Sequence, residues 1–319
     1  MSRTHYYQPD LYYYTLAAHP AAIRMESGDT IITSTVDSRN TDAQGNEIPI
    51  AKRHQQPGNP LCQVNPLVGP VVVEGACPGD AVRVLIQRIE ITRDYALSRF
   101  SAGYGGARNE SLLSIGFLSY YEPLPDTLYR WRIDLDKKQC TLELSGRRAV
   151  LPMQPFIGTI GTAPRFGQFL SSLVPADHGG NMDLPETREG TTLYLPVFAD
   201  GGCLFLGDVH AAQGDGELCG VALETTARIE LRVDLLKGLA LNWPRLENGT
   251  HWMTVGSGRT LTDAIKIALA EMVLWLQAEF KMSRTDSLQV ISQGCEVRIG
   301  NVVNPNCTVA IKLLKSILQ

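Results

Sequence analysis

Ala227-Arg228-Ile229-Glu230-Leu231-Arg232-Val233-Asp234-Leu235 alternates apolar and charged residues without a break. Successive side chains of a strand point to opposite faces, so Ala227, Ile229, Leu231, Val233 and Leu235 form an inward row and the four charged residues a solvent row. Working outward, Thr30 to Val36, Val71 to Glu74, Trp131 to Leu135, Thr141 to Leu144 and Thr192 to Phe198 are further short runs rich in β-branched, aromatic or aliphatic residues. Ala81 to Ile91 alternates at Val82, Val84 and Ile86, then slips register to Ile89 and Ile91, which predicts a bulge. Strands at Glu296 to Val303 and Thr308 to Leu314 close the chain. About a dozen strands at short spacing read as a sandwich or barrel-like core, not a doubly wound parallel sheet.

One part of the chain has the helical period. Thr260-x-x-Asp263 opens a helix with apolar residues at Leu261, Ile265, Leu269, Met272, Leu276 and Phe280. Ser283-x-x-Asp286 opens a shorter one that Gly294 can stop, so the expected class is α+β and β-rich with a C-terminal helical hairpin. No linker is visible, and residues 1–319 read as one domain, with a division into two β-rich subdomains, 1–150 and 151–319, as the alternative. Arg39 to Pro60, which contains His54, and the glycine-rich Ser98 to Asn109 read as loops.

The 319 residues are 44% hydrophobic, enough for a large core. Charged residues make up 19% with a net charge of −4 and no basic blocks, which argues against a nucleic-acid partner. No run approaches the roughly 20 apolar residues of a membrane span, and Met1 to Gln8 has no apolar targeting core, so a cytoplasmic location is expected. The seven cysteines, at 62, 77, 140, 203, 219, 295 and 307, include no Cys-x-x-Cys pair. That excludes a zinc ribbon and a disulfide framework and fits a reducing compartment.

The chemistry concentrates in Gly207-Asp208-Val209-His210-Ala211-Ala212-Gln213-Gly214-Asp215-Gly216-Glu217. After the apolar Leu204 to Leu206, a strand would carry Asp208 and His210 on one face. Gly214 and Gly216 then let the backbone fold Asp215 and Glu217 back beside them. A solvated Gly-Asp-Gly hairpin turn explains the same residue types less well, because apolar segments flank the stretch on both sides. A second polar constellation is His178-Gly179-Gly180-Asn181-Met182-Asp183, which pairing across Thr192 to Phe198 could bring to the same sheet end. Gly158-Thr159-Ile160-Gly161-Thr162-Ala163-Pro164 lacks the Gly-Lys-Ser/Thr ending of a phosphate loop, so its small residues are read as sites of close backbone approach. With Asp37 at a strand end, the carboxylates and imidazoles supply hard ligands that suit a divalent metal, zinc before manganese or calcium.

These segments, together with Asn65-Pro66-Leu67-Val68-Gly69-Pro70, Val73-Glu74-Gly75-Ala76, Pro78-Gly79-Asp80, Leu193-Tyr194-Leu195-Pro196-Val197, Arg298-Ile299 and Val302-Val303, make nearly the whole chain resemble the acetamidase/formamidase family. The resemblance implies a jelly-roll-like β-sandwich and metal-dependent hydrolysis of formamide, acetamide or similar amides to carboxylate and ammonia. Some members accept cyclic amides, so a lactam is the alternative substrate. By position it sets His178, Asp183, Asp208, His210 and Glu217 around the reaction centre, with Asp37 contributing. Within that set we expect Asp37, Asp208 and His210 as metal ligands and Glu217 as the base. Asp215 and His178 are expected to assist catalysis, with His178 also a possible ligand, and Asn181, Asp183, Gly214 and Gly216 to contact substrate. Two residues depart from the family pattern, Asn304 where an Asp is usual and Glu296 in place of another Asp; both lie outside the two polar motifs and bear on local detail. Competing readings are a Cys219 nucleophile and a non-catalytic, metal-binding β-sandwich that recognises a small metabolite. The apolar surface of the long helix suits a homo-oligomer interface.

Overall fold

The alternating stretch becomes the strand Ala227–Leu236, paired on both sides within a nine-stranded sheet, in a computed structural model that describes residues 2–54, 63–101 and 125–318. The order in this first sheet is Thr4–Tyr7, Asp29–Ser34, Ala227–Leu236, Ala81–Ile91, Thr192–Pro196, Arg245–Glu247, His251–Gly258, Cys307–Leu314 and Cys295–Asn301. The expected bulge is present: Glu230 pairs with Arg88 and Leu231 with Ile86, so Gln87 is the extra residue. A second sheet runs from Arg147–Pro152 through Gln139–Leu144, Thr127–Asp134, Tyr95–Phe100, Glu224–Thr225, Leu204–His210 and Phe156–Gly161 to Gly179–Asn181. Leu67–Val73 pairs with Leu204–His210 and with Ile23–Met25. Each sheet draws strands from both halves of the chain.

The sheets share a core. One buried apolar cluster contains Ile31, Val84, Ile229 and Leu231 from the first sheet and Val71, Ile157, Leu204 and Leu206 from the second. Their inward rows are what the alternation produces when both faces bury together. The result is a β-rich α+β fold.

The hairpin follows its capping signals. Thr260 and Ser283 accept from the backbone N–H groups of Asp263 and Asp286, opening helices Leu261–Phe280 and Arg284–Gly294. The buried stripe, however, is Ala264, Ala268, Met272 and Leu276, not the row through Leu261, Ile265 and Phe280. Small residues win because the helix lies almost on the sheet: a Cβ on Gly256 would stand 2.2 Å from the Ala264 carbonyl.

Gly158 and Gly161, on the strand Phe156–Gly161, are sites of close backbone approach as read, with a Cβ on Gly161 standing 2.5 Å from Gly180 N. One expectation about the site-bearing strands changes. Thr192–Pro196 lies in the first sheet, so it does not join the two polar motifs; Phe156–Gly161 does, pairing with Gly179–Asn181 on one side and Leu204–His210 on the other. The strands Arg147–Pro152 and Ile23–Met25 carry too little periodicity to be read from sequence. Of the two loops, residues 55–60 and 102–109 lie outside the described residues, as does Cys62. Cys77, Cys140, Cys203, Cys219 and Cys295 are free thiols. Among the described residues no helix is long and apolar enough to cross a membrane.

Candidate active site

The strand Leu204–His210 ends with Asp208 and His210 buried, and Glu224 of the short neighbouring strand pairs in register with His210. His210 Nε2 lies 3.4 Å from Asp208 Oδ1 and 3.3 Å from Glu224 Oε1. Asp183 arrives from the end of the Gly179–Asn181 strand and Glu217 from the glycine turn. In the trios Asp183, Asp208, His210 and His210, Glu217, Glu224, the ligand-type atoms lie within 4.8 Å of one another. Five groups thus converge, all with almost no solvent exposure.

Backbone strain marks the same place. Asn65, Asp183, Asp208 and Glu217 have φ of 62°, 48°, 59° and 50°, a left-handed conformation that costs a residue with a Cβ and is kept where surrounding structure enforces it. Gly158 makes the convergence sterically feasible. A Cβ there would stand 2.8 Å from Asp208 Oδ2 and 2.9 Å from Asp183 Oδ1.

A polar shell orients the cluster. Asn65 Nδ2 donates to Asp208 Oδ2 at 3.2 Å and to Asn181 Oδ1 at 3.1 Å, and Thr159 Oγ1 donates to Asp208 Oδ2 at 3.2 Å. Gln213 Nε2 donates to the Asp183 and Gly300 carbonyls, both at 2.9 Å, which fixes its amide so that Oε1 faces His210 Nδ1 at 2.9 Å. His210 therefore donates from Nδ1, and Nε2 points at the carboxylates. Asn304 Nδ2 donates to Asp183 Oδ2 at 3.0 Å. The departure at Asn304 hence belongs to the site itself, brought there by the chain beyond the strand Cys295–Asn301; Glu296 is a surface partner of Lys312 at 3.1 Å.

Electrostatics follow from burial. Burial, then the Glu217 and Asp208 charges, lift Asp183 well above the ordinary carboxylate range. Glu224 is raised by burial and by Asp208 and Glu217, against the pull of His210. Burial pushes Glu217 up to about 7. Burial alone would discharge His210, but Glu224 and Asp208 outweigh it and raise its pKa well above the usual imidazole value. Asp208 goes the other way: burial opposes its charge, yet the His210 charge beside it holds it low.

Asp183 Oδ1, His210 Nε2 and Glu224 Oε2 are buried without a hydrogen-bond partner. Unpartnered buried atoms of this kind, on carboxylate and imidazole groups, fit a divalent cation, which would take the place of a proton on His210 Nε2.

Not every expected residue joins. Asp37 is buried but saturated: it accepts from the Arg39 and Thr41 backbones at 3.0 and 2.8 Å, from Thr41 Oγ1 at 2.5 Å and from Arg93 at 2.8 Å. Arg93 also donates to the Glu224 carbonyl at 3.1 Å, so Asp37 holds the site's frame at one remove. Asp215 is half exposed and ion-paired with Arg298. His178 is buried with neither ring nitrogen hydrogen-bonded, and burial lowers its pKa to about 3. Gly216 is pinned through its N–H to Ile299 and through its carbonyl to Val302, and Gly214 accepts from the Glu217 N–H. Cys219 is exposed. Glu224 is the residue that sequence reasoning missed. It stands three residues before Ala227 on a separate two-residue strand, and continuing the alternation backward would place it in the charged, solvent-facing row, so no local signal marked it.

Above the cluster opens a cavity of about 370 Å³ whose polar lining includes Asn65, Asn181, Asp208, Glu217, Glu224 and Asn304.

Residues 167–319 match the acetamidase/formamidase family pattern. The chain is 33% identical over 128 residues to the acetamidase of Mycolicibacterium smegmatis, covering 36% of this chain and 30% of that protein. It is 43% identical over 65 residues to the formamidase of Methylophilus methylotrophus, covering 20% and 16%. The matched stretches thus span less than a third of these curated relatives. The crystal structure of the acetamidase from Yersinia enterocolitica superposes with a TM-score of 0.84 at 33% identity, over 99% of this chain and 93% of that one.

Proposed function

The chain belongs to the acetamidase/formamidase family, and from that premise we propose that it hydrolyses the carbon–nitrogen bond of small aliphatic amides such as formamide and acetamide, giving carboxylate and ammonia. The observation that carries this reading is the buried five-group cluster of Asp183, Asp208, His210, Glu217 and Glu224 at the base of an open cavity. Asp208 and His210, with Asp183 and Glu224 beside them, are the residues that would hold a divalent metal, with zinc the best match to the donor set. Such an ion supplies a Lewis acid for the amide carbonyl and lowers the pKa of water.

The chain's own groups do the rest. Asn65, Asn181 and Asn304 present amide donors and acceptors to the amide end of the substrate. Glu217 faces the cavity with its pKa near 7, placed to take a proton from the attacking water and return it to the departing nitrogen. Gln213 keeps His210 in one tautomer while charge redistributes. Asp215 and His178, outside the cluster, have no part in these steps.

A jelly-roll-like description of the two sheets, a cytoplasmic location and a homo-oligomeric state belong to the same proposal. They are supported by the shared core, the scattered free thiols and the exposed Leu274, Phe280 and Leu288 of the helical hairpin. The testing experiment is ammonia release from formamide, acetamide, a γ-lactam and urea, with and without chelator. Ammonia from the linear amides, lost on chelation and restored by zinc, is the expected result. Full turnover by metal-free protein removes the metal from the mechanism, and no turnover of any amide removes the activity.

A further inference from the structure

We propose that the cavity selects primary amides whose acyl group is larger than acetyl, an unbranched chain of about four to six carbons or a phenyl ring, which deepens and rests on the amidase reading above. A one- or two-carbon amide needs only the polar floor. The cavity is about 370 Å³, and pockets from roughly 300 Å³ upward hold ligands far larger than acetamide. The floor carboxylates are buried, whereas Leu97, Leu173 and Val221 are half-buried and Val64 and Leu128 are 43% and 52% exposed, interleaved with Ser38, Arg39, Ser98, Arg99 and Ser101 on the outer wall.

These five apolar side chains converge on one space from separate segments: the strands Tyr95–Phe100 and Thr127–Asp134, the stretch before Asn65, the turn after Ser171 and the loop before Glu224. Apolar surface left half wet around a polar floor gains by contact with an apolar ligand, and the floor orients that ligand with its amide group inward. The acyl chain then runs outward along Val221, Leu97 and Leu173.

The test is kcat/KM over acetamide, butanamide, hexanamide and benzamide with the metal-loaded enzyme. Each methylene buried against the wall is expected to raise kcat/KM by about two- to fourfold, placing hexanamide at least about tenfold above acetamide. Val221→Trp, which fills the wall, should cut the hexanamide-to-acetamide ratio by about tenfold or more. Should that variant fail to fold, Leu173→Ser should lower the same ratio by about threefold or more. A flat or falling series overturns the proposal while ammonia from acetamide leaves amide hydrolysis standing. No ammonia from any amide overturns both.

Discussion

Asp37 and Asp183 are both fully buried carboxylates, yet they do opposite things. Asp37 accepts from four donors, among them the Arg93 guanidinium. Asp183 leaves one oxygen without a partner, and so do His210 Nε2 and Glu224 Oε2 beside it. A carboxylate whose lone pairs are used holds the structure; one whose lone pairs are left over is available to a ligand. The same division runs through the glycine turn, where Asp215 goes to an exposed pair with Arg298 and Glu217 goes into the cavity.

The sharpest way to break this contrast is at the unsaturated end. Glu217→Gln is expected to lower kcat by about 10²- to 10⁴-fold while bound metal, measured by elemental analysis, stays within about twofold. Parallel loss of metal would make Glu217 a ligand instead of the base. At the saturated end, Asp37→Ala strands the buried Arg93 charge and is expected to cost about 3–5 kcal/mol of stability, read as a lowered denaturant midpoint. A midpoint unchanged from the parent would mean that Arg93 finds another partner.

Between the two extremes stands Gln213, saturated itself and serving an unsaturated neighbour. Gln213→Leu is expected to weaken metal binding by about 10- to 100-fold, measured by competition with a chelator. Unaltered affinity would show that His210 keeps its orientation without it.

The smallest effect concerns a second saturated acid, Asp80. The Lys237 ammonium beside it, with the Gly238 and Cys77 N–H groups, holds its carboxyl well below the usual range. A depressed folded-state pKa adds stability above the unfolded value of about 4 and loses it as pH falls below that. The melting temperature should therefore drop modestly in acid, and Asp80→Asn should flatten that part of the pH profile. An identical slope in the variant would assign the acid sensitivity to other groups.

Much of this was written locally. The alternation of Ala227 to Leu235, the bulge in Ala81 to Ile91 and the caps at Thr260 and Ser283 depend on neighbours within a strand or a turn, and the chain obeys them. Asp208 and His210 were legible for the same reason: two residues apart on a strand, they share a face whatever the strand pairs with. Asp37 was misleading because a strand-end carboxylate looks the same in sequence whether or not an arginine arrives from 56 residues away. Glu224 and Asn304 escaped because their meaning lies in their partners.

Sequence alone thus determined the β-rich class, the helical hairpin and the family resemblance, since periodicity and motif spacing are properties of one segment at a time. Which acids are satisfied, which face of the long helix is buried, and that Phe156–Gly161 stitches the two polar motifs together were decided only by the tertiary structure. Hydrogen-bond saturation and close backbone approach are relations between distant segments, and no local pattern encodes them.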